Sequence, residues 1–197
     1  MERTAHCALK QVCARMVADA SFEAALSLQL NSAPGRMHAD AEHEITVRQA
    51  VSADLEPLTD LFDQYRQFQG QHADRAAARS FLKARFDHGE SILFIALAGD
   101  APLGFAQLYP SFSSVALSRV FILNDLFVAE TGRRRQVASR LLAELEAYAW
   151  SFGACRITLN VGRSNTSAQA LYAARGWEQD ERHFMVHRYP PPNAGDA

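Results

Sequence analysis

Three groups of residues in this 197-residue chain combine residue types and spacings that can do chemistry. Thr131 and Gly132, followed by Arg133, Arg134 and Arg135, join an apolar run at 120–128 to a segment in which Val137, Leu141, Leu145, Tyr148 or Ala149, and Phe152 recur at helical spacing. A strand–turn–helix junction exposes unpaired backbone N–H groups at the helix start, and the helix dipole adds partial positive charge there. The turn therefore suits an anion such as a pyrophosphate. The arginines add formal charge and forked donors, although a basic run is also the ordinary composition of a solvated face. Asn124 and Asp125 interrupt the apolar run with an amide and a carboxylate. The carboxylate either takes a proton or pins the local backbone. Residues 165–177 read as a short helix capped by Asn165 and stopped by Gly176. It carries Tyr172, which reads by itself as a buried aromatic with a satisfied hydroxyl.

The elements that must position these groups follow from periodicity. Residues 120–128 read as a strand buried on both faces. Ahead of it, 44–50 alternates as a first strand, and Leu55, Leu58, Phe62 and Tyr65 share one face of a helix capped by Ser52 or Asp54. A second helix after Gly70 turns Ala78, Phe81, Leu82 and Phe86 inward and ends at Gly89. Residues 91–98 and 102–109 read as strands joined at Gly99-Asp100, followed by a loop over 110–118. A strand over 155–161 is expected to bury Cys155, and 177–180 with 183–189 to form a last hairpin. The pattern is mixed α/β, of the α+β kind. Residues 1–43 form an extension, helical or poorly ordered, 44–191 the domain, and 192–197 a tail.

The turn Arg133-Arg134-Arg135-Gln136-Val137-Ala138 resembles motif A of the GNAT superfamily of N-acetyltransferases, which reads Gln or Arg, two variable residues, Gly, a variable residue, then Gly or Ala. Arg133 and Ala138 match, and Gln136 stands where the first Gly is usual. That Gly lets the backbone approach a diphosphate, whereas a Gln at a helix start is expected to need no positive φ. Downstream, Asn165, Ala168, Leu171, Tyr172 and Gly176 fall in register with the family's Asn, Ala, Leu-Tyr and Gly-Phe segment, with Trp177 in place of Phe.

The resemblance implies a mixed, mostly antiparallel central sheet with helices on both faces and a split acyl-CoA-binding strand, and acetyl-CoA as co-substrate. It implies that the backbone of Leu126, Phe127 and Val128 pairs with the pantetheine arm and stabilises the oxyanion. Arg133, Arg134, Arg135, Gln136, Val137 and Ala138 would hold the pyrophosphate, with Asn165 contacting the coenzyme. Tyr172 would protonate the coenzyme A sulfur and Asp125 would be the candidate base. The acceptor would be a primary amine of a small molecule or protein, cationic if Glu178, Asp180, Glu181 and Asp74 rim the site. A homodimer is a further expectation. The competing reading is a non-catalytic acyl-CoA-binding module with a regulatory or scaffold role.

Composition narrows the field. A formal charge of −2 and a pI near 6.4 supply no global field for nucleic acid or an anionic membrane. Three cysteines without metal-ligand or C-x-x-C spacing argue for a reducing compartment, and no stretch has the apolar length of a membrane helix. A cytoplasmic location is expected. His183 and His187 lie an even number of residues apart but lack a third ligand with suitable spacing, so no metal is expected. Ser111, Ser113 and Ser114 have no nucleophile-elbow glycines around them.

Overall fold

The computed structural model describes residues 44–190; the expectations for 1–43 and for the 192–197 tail lie outside the described residues. In chain order the elements are β1 (Ile45–Gln49), a 3₁₀ turn (Ser52–Asp54), α1 (Leu55–Phe68), α2 (Arg75–His88), β2 (Ile92–Ala98), β3 (Ala101–Ser113), β4 (Ser118–Val128), a second 3₁₀ turn (Glu130–Gly132), α3 (Val137–Ser151), β5 (Arg156–Leu159) and α4 (Thr166–Ala174). The five strands form one sheet in chain order, antiparallel from β1 to β4 and parallel between β4 and β5. The parallel pair arises because α3 crosses over between its strands.

Helices cover both faces. Leu58, Leu61, Phe62, Ala78 and Leu82 of α1 and α2 pack with Ile95, Phe105 and Phe127 on one side, while Val137, Leu141, Leu142 and Leu145 of α3 pack with Phe94, Leu108, Phe121 and Leu123 on the other. Burying apolar surface of this kind contributes roughly 25 cal/mol per Å². Polar ties hold the entry to α1. Asp54 takes a forked pair of bonds from Arg48 at 2.6 and 2.7 Å and one from the Val51 N–H at 2.8 Å. Buried Asp63 accepts from the Asp74 N–H at 2.8 Å and from Gln67 at 2.9 Å, which pins the α1–α2 connection.

A β-bulge in β4 decides which residues face which layer. Leu123 pairs with Leu108 and Asp125 with Gln107, so Asn124 is the extra residue. One inserted residue reverses the alternation. Phe121 and Leu123 face α3 before it, whereas after it Phe127 faces α1 and Leu126 and Val128 pack on the α3 side.

Four expectations need correction. Strand β3 runs on through Pro110 to Ser113 and pairs there with β4; Pro110 lies beyond the last β2 contact, where its missing N–H disrupts no ladder. Strand β4 is not buried on both faces, because Asn124 and Ile122 are exposed at the open side of the sheet. Cys155 is exposed and precedes β5, the last strand of the sheet, instead of lying buried within it. The expected last hairpin is absent: residues 177–190 are outside any strand, and Phe184 and Val186 are exposed, as is His183. Alternation alone does not make a strand when no neighbour receives its apolar face.

The tightest approach in the sheet is at Gly104, opposite Val128. A Cβ there would sit 2.6 Å from the Phe127 carbonyl oxygen and 3.2 Å from the Val128 Cα, both backbone atoms. Gly104→Ala is therefore expected to lower unfolding free energy by about 1–3 kcal/mol. Urea denaturation measures this, and wild-type stability in the variant would contradict the close approach.

Candidate active site

Pairing between the parallel strands stops at Leu123 and Leu159, while β4 continues to Val128. Past that pair the strands part, and the backbone of residues 124–128 has no strand neighbour on the β5 side. The opening is a groove of about 700 Å³. Its walls are β4, the turn into α3, the chain after β5, the length of α4 and the end of α1.

The turn at its mouth has an unusual backbone. Arg134 and Gln136 both adopt positive φ, +59° and +60°, and Gln136 occupies the N-cap position of α3 with no side-chain cap. The expectation that Gln136 would need no positive φ is therefore wrong. It carries the left-handed conformation that a Gly would adopt, at a cost of about 1–2 kcal/mol for an L-residue. Alternating handedness turns successive N–H groups toward one point, a concavity that suits an anion. From Arg134 to Ser139 no backbone N–H has a hydrogen-bond partner among the described residues. Gly132 seats this turn against β3, since a Cβ there would lie 2.8 Å from the Leu103 carbonyl oxygen.

Of the residues singled out by sequence, Leu126, Phe127, Val128, Arg133, Arg134, Gln136, Val137, Ala138, Asn165 and Tyr172 line the groove. Arg135 does not line it, nor does Asp125, whose side chain projects beneath α1 on the same face as Phe127. Val137 lines it although the residue is buried in the α3 core. The side-chain oxygen of Asn165 caps α4, accepting from the Ala168 N–H at 3.2 Å and the Ser167 hydroxyl at 3.1 Å. Asp74 caps α2, and Asp180 binds His183 at 2.7 Å; neither lines the groove, and nor do Glu178 and Glu181.

Tyr172 is held by its helix. Glu146 of α3 accepts from Arg175 at 2.7 Å and from the Trp177 indole at 2.8 Å, which clamps the end of α4, and Trp177 packs on Tyr172 with ring centroids 5.6 Å apart. Burial pushes the Tyr172 phenol above its ordinary range, so it stays protonated through neutral pH. Asp125 is 6% exposed, and burial pushes its carboxyl up, opposed by contacts with the Asn124 amide and the Tyr65 hydroxyl. Sequence reading missed Tyr65, placing it only on the apolar face of α1. It lines the groove, and its phenol is pushed up to about 12, first by burial and then by the Asp125 charge. Its only sequence signal was a hydroxyl on an otherwise apolar helix face.

A sheet opened between parallel strands, with a turn suited to an anion at its mouth and a protonated phenol in its wall, is built for an extended anionic ligand lying along a free strand edge. Comparison with known proteins makes the assignment specific. Residues 55–177 match the acetyltransferase (GNAT) family model. The chain is 42% identical over 136 residues to an uncharacterized N-acetyltransferase, YhfO, of Bacillus subtilis, covering 69% of this chain and 91% of that protein. A solved probable acetyltransferase superposes with a TM-score of 0.69 at 39% identity, covering 74% of this chain and 97% of the other. More distant is an aminoglycoside N(6')-acetyltransferase of Salmonella typhimurium, 29% identical over 50% of this chain and 75% of that protein. The chain belongs to the GNAT family and is an acetyltransferase.

If the positive φ at residue 136 is what the turn requires, Gln136→Gly keeps the coenzyme A Kd within about threefold, whereas β-branched Gln136→Val weakens it by tenfold or more. Calorimetric titration of both variants decides this. Equal affinity in the two would mean that the turn's handedness is unimportant.

Proposed function

We propose that the protein transfers the acetyl group of acetyl-CoA directly to a primary amine. The observation that carries this reading is the parted β4–β5 pair, whose free backbone runs from the partnerless N–H groups of the 134–139 turn to Tyr172. Acetyl-CoA supplies the activated thioester. The chain's part is to bind and orient it: Arg133, Arg134 and the N–H groups through Ala138 suit the diphosphate, and β4 from Leu126 to Val128 suits the amide-bearing arm. A backbone N–H of β4 would donate to the oxyanion that forms on attack. A solved aminoglycoside N-acetyltransferase in complex with CoA shares the fold, with a TM-score of 0.61, which supports the choice of co-substrate.

Tyr172 donates its proton to the departing sulfur, and Asp125 is the final proton acceptor for the amine. An aminoglycoside N-acetyltransferase among the relatives supports a small polyamino acceptor. Because the acidic residues 178, 180 and 181 do not line the groove, they supply no argument for a cationic acceptor.

Two outcomes follow. Tyr172→Phe lowers kcat by roughly 10²-fold with little change in acetyl-CoA affinity. Steady-state kinetics beside calorimetry checks this, and an unchanged kcat removes the acid role. The pH profile is bell-shaped. Asp125 must be ionised, so the rate falls as pH drops through its raised pKa, above the ordinary value of about 3.9; Tyr172 must be protonated, so the rate falls only above about 10. A profile flat on the acid side would contradict the Asp125 assignment.

A further inference from the structure

We propose that Tyr65 is the group that takes the proton from the attacking amine, passing its own hydroxyl proton to Asp125, and that Gln107 holds the neutral carboxyl that results. This rests on the amine-transfer reading of the groove and assigns the path by which the proton leaves it.

Asp125 lies beneath α1, buried and outside the groove lining, whereas Tyr65 of α1 lines the groove and rests on Phe105 and Phe127, the cross-strand pair two residues along from Gln107 and Asp125. The phenol therefore stands between any acceptor and the base. Its ring is fixed by Phe105 and Phe127, at centroid distances of 5.9 and 6.0 Å, and Gln69 lines the groove beside it. A phenol is both donor and acceptor, so it can accept one proton while releasing another.

The second observation is Gln107. It is fully buried on β3, directly across from Asp125, and cross-strand partners project from the same face with Cβ atoms about 4.5–5.5 Å apart. Its amide nitrogen donates to the Ser91 hydroxyl at 2.7 Å, while its oxygen has no partner among the described residues. A buried acceptor left without a donor is destabilising. An ionised Asp125 has no proton to offer it, whereas a protonated Asp125 does. The pair is complementary to the state in which Asp125 has just received the proton.

The step balances. The amine nitrogen forms a bond to the thioester carbonyl carbon, and the C–S bond breaks as the adduct collapses. The nitrogen's proton goes to the Tyr65 oxygen as the Tyr65 hydroxyl proton goes to Asp125, and the sulfur takes the proton of Tyr172. Tyr65 and Tyr172 line the same groove, and loss of the Asp125 proton through Tyr65 to solvent together with uptake of one by the Tyr172 phenolate resets the site. The groups that face this path are Gln69 on α1, Gln107 and Tyr109 on β3, Asn124 on β4 and Tyr172 on α4, with Arg85 and Glu90 acting on Tyr109.

Two measurements on the full chain test this. In infrared difference spectra of protein carrying isotope-labelled aspartate, with Asp125→Asn identifying the band, the carbonyl stretch of protonated Asp125 lies at a hydrogen-bonded frequency and rises in Gln107→Leu and in Gln107→Met. A band unmoved by both substitutions overturns the Gln107 role. With neamine as the probe amine, Tyr65→Phe lowers kcat by tenfold or more and removes the acid-side fall in kcat/KM, while the acetyl-CoA Kd stays within twofold. A wild-type rate and pH profile in Tyr65→Phe overturn the relay. Failure of the wild-type protein to acetylate neamine would count against amine transfer to this probe, and the infrared band would still decide the Asp125–Gln107 bond on its own.

Discussion

The separation of β4 from β5 beyond Leu123 and Leu159 is the constraint on which the rest of the structure depends. A backbone that leaves its ladder must find other partners for its N–H and C=O groups or expose them to water. Here the exposed edge becomes one wall of a groove, α4 becomes the other, and the turn into α3 closes its mouth. The bulge at Asn124 completes the division of labour. Because one extra residue reverses the alternation, Leu126 and Val128 settle on the α3 layer, while Asp125 swings beneath α1 beside Gln107 and Tyr65. Without the bulge, the carboxylate would share a face with Leu123 and face α3.

Local strain accompanies this arrangement. Two left-handed residues, Arg134 and Gln136, turn the N–H groups of the 134–139 segment toward a common point, and neither is a glycine. Strain of that size persists because its surroundings over-determine it. Gly132 is pressed against β3 on one side of the turn, and Val137 is sunk in the core on the other. The groove's opposite wall is secured in a different way, by Glu146 reaching from α3 to Arg175 and Trp177 just past α4.

Much of the fold was legible in the sequence, for identifiable reasons. The helices of 55–68 and 137–151 carry strong apolar periodicity and clear stop signals, and the strand–turn–helix junction announces itself through composition. Three features were not legible. The reversal at Asn124 depends on register against β3, which one strand's sequence does not contain. The conformation of Gln136 ran against the ordinary preference of its residue type, because tertiary contacts fixed the turn. Tyr65 and Gln107 come from elements far apart in sequence, and only the packing of α1 over β3 and β4 brings them to Asp125. The supposed last hairpin failed in the other direction, since alternation in 183–189 suggested a strand for which the sheet supplies no partner among the described residues.

The parted strands and the 134–139 turn form a working coenzyme site despite Gln136 if acetyl-CoA binds there. The most direct test is calorimetric titration of acetyl-CoA into the wild-type protein at low and moderate salt. Saturable binding is expected, with one ligand per chain and a Kd in the micromolar range, about −8 kcal/mol, weakening as salt screens the arginines. Folded protein that produces no binding heat at any salt concentration or temperature tested would contradict it.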